Sequence, residues 1–245
     1  LHSGFFIFND FSEYDYFSMN FSGHEIDNLN KETKKKVKMN QYDIYKYVDE
    51  LVQMIEKFKF KNIILIGHSM GGGISLLVNQ RIPNRINKLI LVSPINPTIF
   101  LSTIGPKYLF NTINNMHHKI KEIEIDSKYL NNQKFYSLID EYLNYEIERF
   151  LYMKRKYLFL GTRLLSIKLY QTLNNLYMKI NKPTLVILGE NDKVIPHKFF
   201  KKYLKKINNK NIEIEIIKNS KHICFVEQFD KYNEIVWNFI TNKNI

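Results

Sequence analysis

Residues 63–72 read Ile63-Ile64-Leu65-Ile66-Gly67-His68-Ser69-Met70-Gly71-Gly72. The first four are branched aliphatics, the composition of a buried strand. From Gly72 to Gln80 the chain reads as a helix. Ser69 therefore stands in a sharp strand-to-helix turn, with a glycine two residues to either side. Such a turn strains the serine and pushes its hydroxyl out at the end of a sheet. Gly67 and Gly71 are expected to be glycine because a side chain would collide where the backbone passes close to itself. The same pattern could merely join a strand to a helix. Partners for a nucleophilic hydroxyl, arriving later in the chain, separate the two readings.

Outward from this turn, apolar runs alternate with helix-like stretches, which predicts βαβ units and a mostly parallel sheet flanked by helices. Tyr16–Phe21 reads as a strand followed by a turn at Ser22-Gly23-His24. Gln41–Phe58 reads as a helix, with Ile44, Tyr47, Val48, Leu51 and Ile55 on one face. Leu89–Val92, Thr184–Leu188 and Ile212–Ile217 read as further strands, and Phe225–Ile240 as a closing amphipathic helix. Between Ser93 and Pro183 the alternation stops. Phe135, Leu138, Ile139 and Tyr142 have helical spacing, and Leu165, Leu169, Leu173 and Leu176 suggest another helix. The expected division is a core of residues 1–94 and 183–245, with 95–182 inserted as a helical cap. So long a segment exceeds an ordinary crossover.

The chain has 245 residues, enough for one large α/β domain with a full core. No apolar run approaches the ~20 residues of a membrane span. The single cysteine, Cys224, excludes an internal disulfide and fits a reducing compartment. A cytoplasmic location is the corresponding expectation. The net charge of +12 could attract nucleic acid or anionic lipid. Against nucleic acid, the densest basic run, Lys31–Lys38, lacks interleaved aromatics for base stacking. Lys198–Lys206 places Phe200, Tyr203, Leu204 and Ile207 on one helical face with lysines opposite, most simply a solvated face. No nucleic-acid partner is expected, while weak association with an anionic membrane surface is.

A serine hydroxyl needs a base within hydrogen-bond reach, and a carboxylate to orient that base and stabilise its charged form. His222 is the candidate base, in the loop between the strand Ile212–Ile217 and the last helix. His68 adjoins Ser69 but should point away from it, which suggests packing. His24 reads as structural and His197 as exposed. His117 and His118, adjacent on a helix, cannot converge on one ligand. Asp192, in Gly189-Glu190-Asn191-Asp192, follows the strand Thr184–Leu188 at the carboxyl end where parallel sheets place site residues. Glu190 is its fallback. Cys224 has no such turn and reads as core. The oxyanion of a tetrahedral intermediate needs two backbone N–H donors: Met70, and one from Leu1-His2-Ser3-Gly4-Phe5. No metal cluster or phosphate-binding loop is visible, so no metal or other cofactor is expected.

Together these residues resemble the α/β-hydrolase superfamily, in its serine esterase and monoacylglycerol lipase-like branch. Gly67-His68-Ser69-Met70-Gly71-Gly72 is similar to the nucleophile segment of that branch. Pro183-Thr184-Leu185 through Asp192, then Val194-Ile195-Pro196, is similar to its acid-bearing segment. Ser220-Lys221-His222, with Glu227 shortly after, is similar to its histidine segment. The resemblance implies a catalytic triad of Ser69, Asp192 and His222, with Met70 and Gly4 (Phe5 as alternative) as oxyanion donors. It also implies a cap between the strands at Leu89–Val92 and Thr184–Leu188. His2-Ser3-Gly4 departs from the family's His-Gly, and Ser22-Gly23-His24-Glu25 from its Pro-Gly-His-Gly. The family has strands upstream of the oxyanion loop, and these are expected to be missing from the present chain.

The implied activity is cleavage of a small apolar carboxylic ester, such as an acyl glycerol or lysophospholipid, through an acyl-enzyme on Ser69. An amidase or aminopeptidase is the alternative; Glu141, Glu146 and Glu148 could then hold a substrate amine. A non-catalytic ligand-binding protein of the same fold is the third possibility.

Overall fold

The computed structural model describes residues 14–19, 21–22, 42–101, 156 and 158–241. Within these, β1 (Ile63–His68), β2 (Ile86–Val92), β3 (Thr184–Gly189) and β4 (Ile212–Ile217) form a parallel sheet in the order β1-β2-β3-β4. The register pairs His68 with Val92 and Gly189 with Ile217. The residues that follow each strand, Ser69, Ser93, Glu190 and Lys218, therefore emerge along one edge of the sheet.

Sequence patterning matches each strand's place. β3, Thr-Leu-Val-Ile-Leu-Gly, is buried throughout, as a central parallel strand covered on both faces must be. β4, Ile-Glu-Ile-Glu-Ile-Ile, is at the edge of the sheet formed by the described residues, and its alternation leaves Glu213 and Glu215 exposed. Its isoleucines 212, 214 and 216 pack the opposite way, into one apolar layer.

That layer contains α1 (Ile44–Lys57), α2 (Met70–Arg81), α3 (Ile167–Lys179) and α4 (His197–Ile207). Asp43 caps α1, its Oδ1 accepting from Tyr45 N–H at 2.8 Å. Leu89 and Leu91 of β2 face these helices. Ile90 and Val92 face the other layer, with α5 (Cys224–Glu227) and α6 (Phe229–Thr241). Upstream of β3, α3 starts on Ser166, whose Oγ accepts from Leu169 N–H at 3.4 Å. Leu169, Leu173 and Tyr177 are buried beside α2, and the Tyr177 hydroxyl donates to the Ile95 carbonyl at 3.3 Å. The helix expected around Phe135–Tyr142 lies outside the described residues.

Two expectations need correction. Residues 14–19, 21 and 22 run irregularly, not as a strand over Tyr16–Phe21. Side chains anchor this segment: the Phe21 ring stacks on Tyr47 with centroids 4.8 Å apart, and Ser22 N–H donates to Glu50 Oε2 at 2.9 Å. Phe21 thus meets α1, and Phe17 meets Phe60 with centroids 4.3 Å apart, where a strand ladder is expected from the sequence. The closing helix is broken at Gln228, whose φ of −134° and ψ of 58° separate α5 from α6.

Because Leu173 is fully buried against α2, Leu173→Ala should cost about 2–4 kcal/mol of unfolding free energy, read by urea denaturation. A loss under ~0.5 kcal/mol would mean that α3 is not part of the folding core.

Candidate functional site

The turn after β1 has the strain expected of it. Ser69 sits at φ 54°, ψ −116°, a region L-residues rarely adopt. Three backbone bonds hold it there. Ser69 N–H donates to the Val92 carbonyl at 2.9 Å, and the Ser69 carbonyl accepts from Gly72 N–H at 3.1 Å and Ile95 N–H at 3.0 Å. A Cβ at Gly67 would land on the Gly71 carbonyl and lie 2.6 Å from Ser75 Oγ, so close approach requires glycine there. Gly71 differs from expectation: a Cβ there would meet nothing within 4 Å. The crowded partner of Gly67 is Gly71's carbonyl, while Gly71's own Cα faces open space. Met70 opens α2, so its N–H is among those at a helix start that lack an intrahelical acceptor. The other expected donor, Gly4 or Phe5, lies outside the described residues, as do His2, His24, His117, His118, Glu141, Glu146 and Glu148.

Asp192 and His222 meet. His222 Nδ1 lies 2.8 Å from Asp192 Oδ2. The other carboxylate oxygen accepts from Val194 N–H at 2.8 Å and Ile195 N–H at 2.9 Å. Val194-Ile195 therefore supplies the donors for a carboxylate whose side chain is wholly buried. Burial alone would raise the Asp192 carboxyl. The charge and hydrogen bond of His222, with the Ile195 N–H, outweigh it and hold the carboxyl below its ordinary value. The His222 ring is 22% exposed, and its Nε2 is left free of the carboxylate.

Glu190, the fallback acid, does not meet His222. Its Oε2 accepts from Asn219 N–H at 3.2 Å, bracing the turn that precedes the histidine. Further contacts clamp that turn. Asn191 N–H donates to the Ser220 carbonyl at 2.8 Å, and the buried Glu227 accepts from Lys221 N–H at 2.5 Å. Burial raises the Glu227 carboxyl even so. A Cβ at Gly189 would fall on the Lys221 carbonyl. The histidine loop thus folds back over the end of β3, and only glycine permits the contact.

His68 does more than pack. Its Nε2 lies 2.8 Å from the His222 carbonyl, an acceptor, so Nε2 carries the proton and donates. The ring centroid stands 4.8 Å from that of His222 and 5.0 Å from Phe225. Burial, with the nearby His222, lowers the His68 pKa to about 3. His68 is therefore neutral in ordinary conditions. Sequence spacing carried no signal for a contact across 154 positions. Cys224 is buried and its thiol is pushed up by burial, as expected of a core residue. An open cleft of about 520 Å³ beside α3, lined by Pro97, Ile167 and Tyr170 among others, includes none of Ser69, Asp192 or His222. Among the described residues no group of three or more metal-ligating side chains converges.

A family model described as serine aminopeptidase, S33, matches residues 12–228. The chain belongs to that family of α/β hydrolases. The hydrolase is 35% identical over 206 residues to "Putative esterase/lipase 2" of Mycoplasma genitalium, covering 82% of this chain and 69% of that one. It is 24% identical over 238 residues to "Putative esterase/lipase 1" of Mycoplasma pneumoniae, covering 96% and 84%. Among solved structures, an esterase from Exiguobacterium antarcticum superposes with a TM-score of 0.62 at 20% identity, covering 82% of the hydrolase and 75% of that chain. A bromoperoxidase from Bacillus anthracis does so with 0.62 at 19%, over 82% and 75%. The fold is that of the α/β hydrolases, and by its relatives the protein is esterase/lipase-like.

Two predictions follow from this geometry. Gly67→Ala and Gly189→Ala should each lower unfolding free energy by at least about 2 kcal/mol, and Gly71→Ala should change it by less than ~1 kcal/mol. Chemical denaturation of the three variants tests the contrast, which fails if all three behave alike. For His68 the folded pKa of about 3 lies below the ordinary 6.5. Between these values the unfolded chain binds more protons, so His68 favours folding above 6.5 and that contribution is lost as the pH falls toward 3. Asp192, held low, acts in the same sense further into acid, whereas Glu227, held high, acts in the opposite sense. Melting temperature should therefore fall less steeply with acidification in His68→Gln than in the parent. An unchanged slope would remove His68 from the acid response.

Proposed function

We propose that the protein is a serine hydrolase of carboxylic esters that works through an acyl-enzyme on Ser69. The observation that carries this reading is the 2.8 Å contact of His222 Nδ1 with a buried Asp192, at the same edge of the sheet as a serine held at positive φ. Ser69 Oγ attacks the ester carbonyl carbon while His222 Nε2 takes its proton. The imidazolium so formed is stabilised by Asp192, which stays ionised. Met70 N–H, with Gly4 N–H (or Phe5), receives the developing oxyanion. As the tetrahedral intermediate collapses, His222 returns the proton to the leaving alkoxide and an alcohol departs. Water, deprotonated by the same imidazole, then attacks the acyl carbonyl, and the imidazolium returns the proton to Ser69 Oγ as the acid departs.

His68 and Glu227 act through the histidine loop. One donates to the His222 carbonyl, the other accepts from the preceding N–H. They are positioning residues on this reading.

Substrates are small apolar esters, an acyl glycerol or lysophospholipid among them. The esterase/lipase names of the Mycoplasma relatives support this class. The segment 95–182 acts as the cap that selects the acyl group. An amidase or aminopeptidase is the second reading, favoured by the description of the family model.

A fluorophosphonate probe should label the protein at Ser69. Labelling should vanish in Ser69→Ala and fall strongly in His222→Ala. Asp192→Asn should lower turnover by about 10⁴ through the wrong imidazole tautomer. On a panel of p-nitrophenyl esters and amino-acid anilides, turnover should be confined to the esters. Faster cleavage of anilides would replace the esterase by the peptidase. A folded protein that takes no label would be a ligand-binding member of the fold.

A further inference from the structure

The positive charge of the chain is not spread evenly. Residues 156–212 hold twelve lysines and arginines against two carboxylates, while the remainder holds 24 against 22. Almost the whole net charge thus belongs to one stretch, which a general lysine bias would not produce. Neither of the two carboxylates offsets it at the surface of α4. Asp192 is buried against His222, and Glu190 is turned to Asn219 N–H.

The structure gives that stretch an outward face. On α4, Phe200 and Leu204 are buried, and the Tyr203 hydroxyl donates to Asn174 Oδ1 of α3 at 2.9 Å. The other side exposes Lys198, Lys202, Lys205 and Lys206, which fall within one arc of the helix. Phe199 stands at the border of this arc, 44% exposed. Neighbouring carboxylates of β4, Glu213 and Glu215, lie on the face of the sheet opposite to the isoleucines that pack with α4. An exposed aromatic ring among flexible lysines, without an acidic neighbour on the helix, is more than a solvated face requires.

We propose that α4 docks on an anionic phospholipid surface. The lysine ammonium groups meet headgroup phosphates while their stems lie along the interface. The Phe199 ring enters the boundary of the acyl region, as on interfacial helices. α4 carries lysines and no arginine, and a single exposed ring in place of a row of stacking platforms. That composition favours lipid over single-stranded nucleic acid. His197 begins α4 five residues after Asp192, so docking would bring the site edge of the sheet near the lipid. The proposal goes beyond the reading of Ser69 and does not depend on it.

The test uses the full chain and sedimentation with two vesicle types, phosphatidylcholine alone and phosphatidylcholine mixed with phosphatidylglycerol. Binding should occur on the mixed vesicles and weaken as salt rises. Lys198→Glu/Lys202→Glu/Lys206→Glu should reduce partitioning at least about tenfold. Phe199→Ser should reduce it severalfold at unchanged net charge. Melting temperatures should stay within a few degrees, since all four side chains are exposed, and the neutral Lys→Gln triple variant should fall between parent and Glu variant. Equal binding of parent and triple variant, or equal binding to both vesicle types, would overturn the proposal. So would displacement from vesicles by single-stranded RNA with no effect of Phe199→Ser, which would mark a polyanion face.

Discussion

The wholly buried side chain of Asp192 imposes the constraint from which the local architecture follows. An ionised carboxylate removed from water costs several kcal/mol unless its lone pairs are occupied. One oxygen is served by two backbone donors three residues or fewer away, which dictates how the chain leaves β3 toward Pro196 and α4. The other requires a donor from elsewhere, and His222 supplies it. To bring His222 there, the loop after β4 must fold back across the end of β3. That return puts the Lys221 carbonyl where a side chain at 189 would be. The glycine, the loop and the buried charge are thus one connected arrangement.

The same arrangement explains why His222 needs more than its carboxylate. Its loop lies between irregular turns, including Asn219 at φ 54°, and has no ladder to hold it. Glu190, Glu227 and His68 supply the missing restraints from three different elements. Burial disfavours charge on His68, leaving a neutral ring that donates in a single direction. A protonated His68 beside His222 would oppose the positive charge that the proposed mechanism forms there. A low His68 pKa therefore serves both the loop and the chemistry.

Features that depend on local patterning were legible in the sequence. The continuous apolar run of β3 and the alternating β4 were placed to within a residue, because burial on two faces or one writes itself into the pattern. Chain order and position after strands point to Asp192 and His222, and these two side chains do meet. What failed depended on contacts distant in sequence. Tyr16–Phe21 has a strand's composition, yet Phe21 is held by Tyr47 and Ser22 by Glu50. Gly71 looked equivalent to Gly67, but only one of the two Cα atoms faces a neighbour. His68 does pack, against Phe225, as its place next to Ser69 suggests, but its hydrogen bond goes to a backbone carbonyl, which no residue type announces.

Substrate choice is legible least of all, and the fold gives the reason. The described site consists of strand ends, turns and one buried charge, and on the proposed mechanism it would act on any acyl group presented to Ser69. An esterase and a bromoperoxidase superpose on this chain equally well, so the sheet and its flanking helices do not discriminate between such activities. Discrimination must come from groups that touch the acyl and leaving portions. On the proposed reading, the long segment between β2 and β3 serves that purpose. α3 shows how it is attached: Leu169, Leu173 and Tyr177 bind its end into the core beside α2. On the proposed reading, a family description of aminopeptidase and relatives named esterase/lipase are compatible, because one acyl-transfer chemistry serves esters and amides alike and the choice of substrate is made by other groups.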